Sequence, residues 1–166
     1  MATELEVRDW LDRLAIQDLI ARYSDAVTRA DWHQCEAVFA PDAVWESPNL
    51  GLRYDDVASF LDMVRASTTD VLIQTPHSSV VMLDGDRATA TTTIHEMSRG
   101  VGSADSALGG AGAEINFEQW GIYYDDVARL DGEWKFTRRV FVSVYLNPGC
   151  LTGDVLTARS AMQRPD

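Results

Sequence analysis

After Ala66 the sequence changes period, and that change limits the fold more than any other feature of the chain. Two long runs, 71–83 and 87–97, flank Asp84-Gly85, and two more, 117–130 and 133–146, flank Asp131-Gly132. Each run is rich in Val, Thr, Ile and aromatic residues, which suit a pleated, half-buried surface, and Asp-Gly between two such runs favours a two-residue hairpin loop. Ahead of them apolar residues recur at steps of three and four. A first helix is predicted from about residue 6 to about 30, with Val7, Leu11, Leu14, Ile16, Leu19, Ile20, Tyr23 and Val27 on its buried stripe. A second helix is expected over 32–39, capped by Asp31 and ended by Pro41, with a strand around Val44 and Trp45 after it. A third covers 55–66, with Val57, Phe60, Leu61 and Val64 on one face. Three helices followed by two hairpins predict an α+β domain, its helices packed on one side of a strongly curved antiparallel sheet.

Composition narrows the function classes. The 166 residues, 46% of them hydrophobic, suffice for one core and a single domain, 1–166. A net charge of −12 with no offsetting cluster of Lys and Arg repels phosphate backbones and anionic lipid, so neither nucleic acid nor membrane is an expected partner. No stretch reaches the roughly 18 apolar residues of a spanning helix, and the acidic start MATELEVRDW lacks the pattern of a secretory leader. Cys35 and Cys150 are far apart and fit no CxxC or zinc spacing. The expectation is a soluble, cytoplasmic chain with reduced thiols. His33, His77 and His95 have no metal-ligand spacing, and GxSxG, P-loop and GxGxxG motifs are missing, so chemistry without metal or organic cofactor is expected.

The hairpins also predict which side chains share a face, because a two-residue loop fixes the register. Around Asp84-Gly85, Val81, Ser79, Ala88, Ala90, Thr92 and His77 fall together, and His95 falls on the opposite face. Around Asp131-Gly132 the register puts Tyr124 opposite Arg139, Ile122 opposite Phe141, Trp120 opposite Ser143 and Glu118 opposite Tyr145. That aromatic face with a few polar groups is the composition expected of a ligand cavity. The other face, with Tyr123, Val127, Phe136, Val140, Val142 and Val144, would pack on the helices or on a second subunit. The glycine-rich segment 99–114 reads as a flexible connection, with a lid over the cavity as the sharper alternative, and a C-terminal tail begins near 149.

IQDLIARYSDAV, FAPDAVWES, the Pro76-His77 strand start and DGEWKFTRRVFVSVYLNP, in that order, resemble the SnoaL-like branch of the NTF2-like superfamily, from Ile16 to about Pro148. The resemblance implies a cone-shaped fold with an apolar cavity, a homodimer, and relatives among dehydratases and dehydrochlorinases. It also implies a His at the start of the third strand that takes a proton, matched by His77, and an Asp late in helix one that orients it. This chain departs from the pattern at that second position, where it carries Thr28. Arg139 matches an Arg that binds a leaving group or oxyanion, and Tyr23 matches a tyrosine that hydrogen-bonds substrate oxygen.

Those residues predict a cofactor-independent enzyme acting on a small, apolar, oxygenated molecule by elimination, isomerisation or cyclisation. His77, Arg139 and Tyr23 would carry the chemistry. Thr28, Trp45, Glu118, Trp120, Tyr124, Phe141 and Tyr145 would contact the substrate, with Glu118 as a possible acid in apolar surroundings. Loss of the dyad carboxylate fits equally a binding or assembly protein that holds a hydrophobic ligand without turning it over. A third reading is the small structural subunit of a ring-hydroxylating oxygenase, which shares the fold.

Overall fold

The computed structural model describes residues 3–102 and 112–162. In chain order the elements are α1 (Glu4–Arg29), α2 (Trp32–Ala37), β1 (Phe39–Ser47), β2 (Leu52–Tyr54), α3 (Val57–Ala66), β3 (Thr68–Asp84), β4 (Arg87–Val101), β5 (Glu114–Leu130) and β6 (Glu133–Pro148). Short 3-10 turns cover Pro48–Leu50 and Arg159–Ala161. The six strands form one curved, unclosed sheet in the order β2-β1-β6-β5-β4-β3. Its pairs are antiparallel except β1 with β6, which run parallel. The expected α+β architecture is present, with this one parallel pair added to the antiparallel sheet.

Local chemistry sets the helix limits. Thr3 and Glu6 form a reciprocal capping box, the Glu6 amide donating to the Thr3 hydroxyl at 3.2 Å and the Thr3 amide to the Glu6 carboxylate at 2.7 Å. Asp31 caps α2 by accepting from the Gln34 amide, and Asp56 caps α3 by accepting from that of Ser59. Helix α2 stops at Ala37, and Phe39 already belongs to β1. Pro41 therefore lies inside the strand, in the stretch between Phe39 and Val44 where the pairing with β6 shifts, so its missing N–H breaks no regular ladder.

The first three turns of α1 differ from the expected stripe: Val7, Leu11 and Leu14 are exposed. Asp12 is the buried residue there, receiving the Arg129 guanidinium at 2.5 Å and the Trp134 indole N–H at 3.3 Å. Asp12 lies on the same helical stripe as Ile16, Leu19 and Tyr23, so this anchor to the β5–β6 hairpin turns the flank holding Val7, Leu11 and Leu14 outward. From Ile16 onward the helix packs on the sheet.

Both hairpins have two-residue loops. Gly85-Asp86 joins Asp84 to Arg87, one residue later than expected, and Asp131-Gly132 joins Leu130 to Glu133 with both residues at positive φ, as a type I′ turn requires. Of the four register shifts in the two hairpins, the two nearest the turns reverse the faces expected beyond them. On β3 the three steps from Pro76 to Ser79 span what Thr92 to Ile94 span in two steps on β4. On β6 Thr137 is the extra residue against Asp126 and Val127. Each bulge sends the side chains beyond it to the opposite face. The long connection between the hairpins is shorter than expected at its ends, β4 reaching Val101 and β5 starting at Glu114, and its centre lies outside the described residues.

Gly121, on the inner face of β5, holds a close contact that permits no side chain. A Cβ there would stand 2.3 Å from a Phe141 ring carbon and 2.9 Å from the Val142 carbonyl oxygen. Gly121→Ala is expected to destabilise the fold by about 1–3 kcal/mol through overpacking, read as a lower urea midpoint.

Candidate active site

Between the three helices and the concave face of the sheet lies a cavity of about 140 Å³. Most of its wall is apolar, contributed by Val27 of α1, Trp32 of α2, Trp45 of β1, Phe60 and Leu61 of α3, Phe117 of β5 and Phe141 of β6. Trp45 and Phe60 stack face to face at 4.7 Å. One pole is polar. Strand β4 alternates strictly, so Ala88, Ala90, Thr92, Ile94, Glu96 and Ser98 all turn inward, and Glu96 ends in the cavity wall. The Gln74 amide donates to one Glu96 oxygen at 2.5 Å, and the Gln119 amide donates to the other at 2.7 Å. The Ser143 hydroxyl donates to the Gln119 carbonyl at 3.0 Å and fixes that amide's orientation. Gln74 also approaches the Tyr123 hydroxyl, at 3.4 Å.

Burial governs the ionisation of these groups. It pushes the Glu96 carboxyl up from the usual carboxylate range, against the two amide donors, which favour the charged form. Burial also raises the Tyr23 phenol, pushes Tyr123 up to about 12 and pushes the Cys35 thiol up to about 12. Tyr23, Tyr123 and Cys35 therefore stay protonated near neutral pH. Glu96 is the wall group able to change charge.

Three expected residues line the cavity: Tyr23, Trp45 and Phe141. Thr28 is half-buried beside it, and its hydroxyl accepts the Gln74 backbone N–H at 3.0 Å. The strand residue facing the helix-one position is thus Gln74 and not His77. His77 is exposed on the outer face, because the bulge between Pro76 and Ser79 undoes the alternation counted from the turn. Its ring stacks on Trp120 at 5.1 Å, and His95 stacks on the same indole at 4.7 Å. His95 is on the outer face as expected, bonded to Glu118 at 2.8 Å.

Glu118, Trp120, Tyr124 and Tyr145 also differ from expectation. All four lie on the outer side, with Trp120, Tyr124 and Tyr145 exposed, while Phe117, Gln119, Tyr123 and Val127 of β5 point inward. The inner face of β5 is the one assigned from sequence to helix or subunit packing. On β6 the bulge at Thr137 leaves Trp134 and Phe136 inward before it and brings Arg139 and Phe141 inward after it.

Arg139 reaches the inner face but not the cavity wall. It is wholly buried, its guanidinium carbon 3.8 Å from the Tyr123 ring centre, 4.0 Å from that of Tyr23 and 4.3 Å from that of Phe136. Its Nε lies 3.3 Å from an oxygen of Asp125, also buried, and none of its three nitrogens makes a well-directed hydrogen bond among the described residues. Burial pushes Asp125 up to about 6, with Arg139 opposing. Glu96, Gln74 and Gln119 were not singled out from the sequence. For Glu96 the signal existed: the parity that put Ala88, Ala90 and Thr92 on one face, continued four residues, places Glu96 on it.

Among the described residues no three His, Cys, Asp or Glu side chains converge to hold a metal, and no helix is long and apolar enough to cross a membrane. An apolar chamber with a polar pole, roofed by helices, has the form of a small-molecule site. The chain belongs to the SnoaL-like domain family, whose sequence profile matches residues 8–140. A relative in Mycobacterium tuberculosis, the uncharacterized protein Rv2910c, is 29% identical over 140 residues, 82% of this chain and 88% of that one. Among solved structures, a hexachlorocyclohexane dehydrochlorinase, LinA type 2, superposes with a TM-score of 0.70 at 16% identity, covering 86% of this chain and 91% of that chain. A provisionally named scytalone dehydratase from Novosphingobium aromaticivorans gives 0.69 at 15%, covering 95% and 97%. At these identities the structural likeness carries the fold and not the chemistry.

Proposed function

We propose that the protein is a SnoaL-like enzyme that moves a proton on a small, largely apolar, oxygenated molecule, with Glu96 as the proton carrier. The observation that carries this reading is the isolation of one carboxyl among neutral wall groups. Tyr23, Tyr123 and Cys35 are held protonated by burial, and Glu96 is supported on both oxygens by amide donors. An ionised carboxylate in apolar surroundings is a stronger base than in water, and the Tyr123 phenol nearby supplies a donor for a substrate oxygen. Proton abstraction next to a carbonyl or hydroxyl group leads to isomerisation or elimination, the reaction classes that dehydratase- and dehydrochlorinase-named structural neighbours make plausible. The test is uptake of deuterium from D₂O into single-ring ketones and hydroxyketones, followed by NMR. Uptake above the buffer rate with wild-type protein supports the reading; a full panel at the buffer rate refutes it.

The outward position of His77 supports no part for it in this reaction. His77→Ala is expected to leave deuterium uptake unchanged, and a loss of tenfold or more would return the imidazole to the mechanism.

A second reading, a binding protein without turnover, is favoured by Thr28 at the position where the family resemblance implies a carboxylate and by a wall that holds no His among the described residues. Tight binding of the same ketones with no uptake would select it. On the outer face, Val80, Met82, Tyr124, Val144 and Tyr145 are exposed apolar or aromatic side chains and support pairing with a second copy in the cytoplasm. Sedimentation equilibrium checks the pairing, and a monomer at tens of micromolar rejects it.

A further inference from the structure

The C-terminal segment after β6 does not trail away as a tail; it is tied down at both ends across the rim of the cavity. Near its start, the Gly149 amide donates to the Asn116 carbonyl at 2.7 Å and the Leu151 amide to the Asn116 side chain at 2.9 Å. Arg99, paired with Asp70 at 2.8 Å, donates to the Gly153 carbonyl at 2.5 Å. Between the ties the segment is solvated, Leu156 being 94% exposed. It then turns back at the 3-10 turn Arg159–Ala161 and buries one long side chain, that of Arg159, to 9% exposure.

Every contact of that guanidinium is with the cavity's surroundings. It donates to the Val27 carbonyl, to the Thr28 carbonyl at 3.1 Å and to the Thr69 hydroxyl at 2.5 Å, and it lies 5.8 Å from the Trp32 ring centre. Val27, Thr69 and Trp32 are themselves wall residues. Both carbonyls belong to the last turn of α1, so the cation also meets the negative pole of that helix. These contacts leave Arg159 inside the rim and not in bulk solvent.

We propose that Arg159 is a positioning residue for Glu96: the C-terminal segment holds its guanidinium against the cavity rim, behind the wall residues Val27, Trp32 and Thr69, where it supplies a fixed positive charge to the buried carboxylate. This rests on Glu96 being the proton carrier. The ionisable groups facing Glu96 are Tyr23 from α1, Cys35 from α2 and Tyr123 from β5, all neutral, and Arg159 from the segment; His95, next in the chain, lies on the outer face. β3 presents Gln74 and Thr69, and α3 presents only apolar groups. Thr28 and Gln74 lie between the two groups: the Thr28 carbonyl accepts from Arg159 at 3.1 Å, its hydroxyl accepts from the Gln74 backbone N–H at 3.0 Å, and the Gln74 amide donates to Glu96 at 2.5 Å, so the opposite charges favour each other across two residues. A charge in a low-dielectric site acts over longer distances than in water.

The test reads Glu96 directly and needs no turnover. Carboxyl ¹³C NMR titration of the full chain, with E96Q to assign the signal, is compared for wild type, R159M, R159Q and R159K, each checked for a native near-UV CD spectrum. Loss of the positive charge is expected to raise the Glu96 midpoint by about one pH unit in R159M and R159Q, and R159K is expected to restore it. R159Q keeps hydrogen-bond donors and so serves if R159M does not fold. A purely structural clasp predicts the opposite sign, because opening the rim lets water reach Glu96 and lowers its midpoint. An unchanged or lowered midpoint in a folded neutral variant, or a rise in R159K as large as in R159Q, overturns the proposal. Failure of deuterium uptake would sink the catalytic reading and leave this result standing, and an unmoved titration would do the reverse.

Discussion

Glu96→Gln is expected to lower proton transfer by about 100-fold to 10,000-fold, the range that general acid–base groups contribute. The variant keeps shape and size, and the surroundings can accept it. Among the described residues Gln74 Oε1 has no partner, so a 180° turn of the Gln74 amide presents that oxygen to the new amide. Gln119, held by Ser143, donates as before. The loss would therefore report the missing proton acceptor and not a collapsed cavity, and deuterium uptake with a near-UV CD control measures it. The pH dependence has a defined sign. Since burial raises Glu96, wild-type rate as a base should climb with pH through that raised value. Stability should move the other way. The folded carboxyl holds its proton to higher pH than the unfolded one, so its stabilising contribution is complete below the unfolded value and is lost as pH rises through the folded value. E96Q removes that slope, and its melting temperature should exceed the wild type's at neutral pH and match it in acid.

Arg139→Ala is expected to cost about 3–5 kcal/mol of stability, because it empties a cage of three aromatic rings and leaves Asp125 buried without its cation. Urea unfolding measures the loss. Replacing both partners, Arg139→Met with Asp125→Leu, should recover most of it, since removing a buried pair together spares the desolvation of either charge alone. A double variant as unstable as the single one would mean that the cation–ring contacts, and not the pair, dominate. Asp125 also gives a pH signature. With its carboxyl pushed up to about 6, its contribution is complete below its unfolded value of about 4 and is lost as pH rises through the folded value, and Asp125→Asn should flatten this part of the curve.

Helices and hairpins were legible because each has a local cause: Asp caps at 31 and 56, apolar spacing from Ile16 onward, and Asp-Gly near both hairpin ends, although the first loop is Gly85-Asp86 and only the second is the expected Asp131-Gly132. The faces were legible only as far as the pairing stayed regular. Counting back from Gly85 puts Val81 and Ser79 inward correctly and then fails at His77, because the extra residue before Ser79 has no marker in the sequence. On β5 the error was one of choice. The aromatic set of Trp120 and Tyr124 looked like a cavity, yet Tyr123, Phe117 and Gln119 fill that role, and alternation alone does not say which face a helix will cover. The polar pole stayed hidden because Gln74, Glu96 and Gln119 sit on three different strands, which only the register brings together. Arg159 was illegible for a related reason: nothing near it in sequence signals a carbonyl pair more than a hundred residues away.

The bulge between Pro76 and Ser79 separates two stretches of β3 with separate duties. Below it, Leu72 and Gln74 answer to the chamber; above it, Ser79 and Val81 answer to helix and hairpin. The side chains on either side of that junction therefore follow separate alternations, and the aim of Gln74 does not depend on the parity of the hairpin tip.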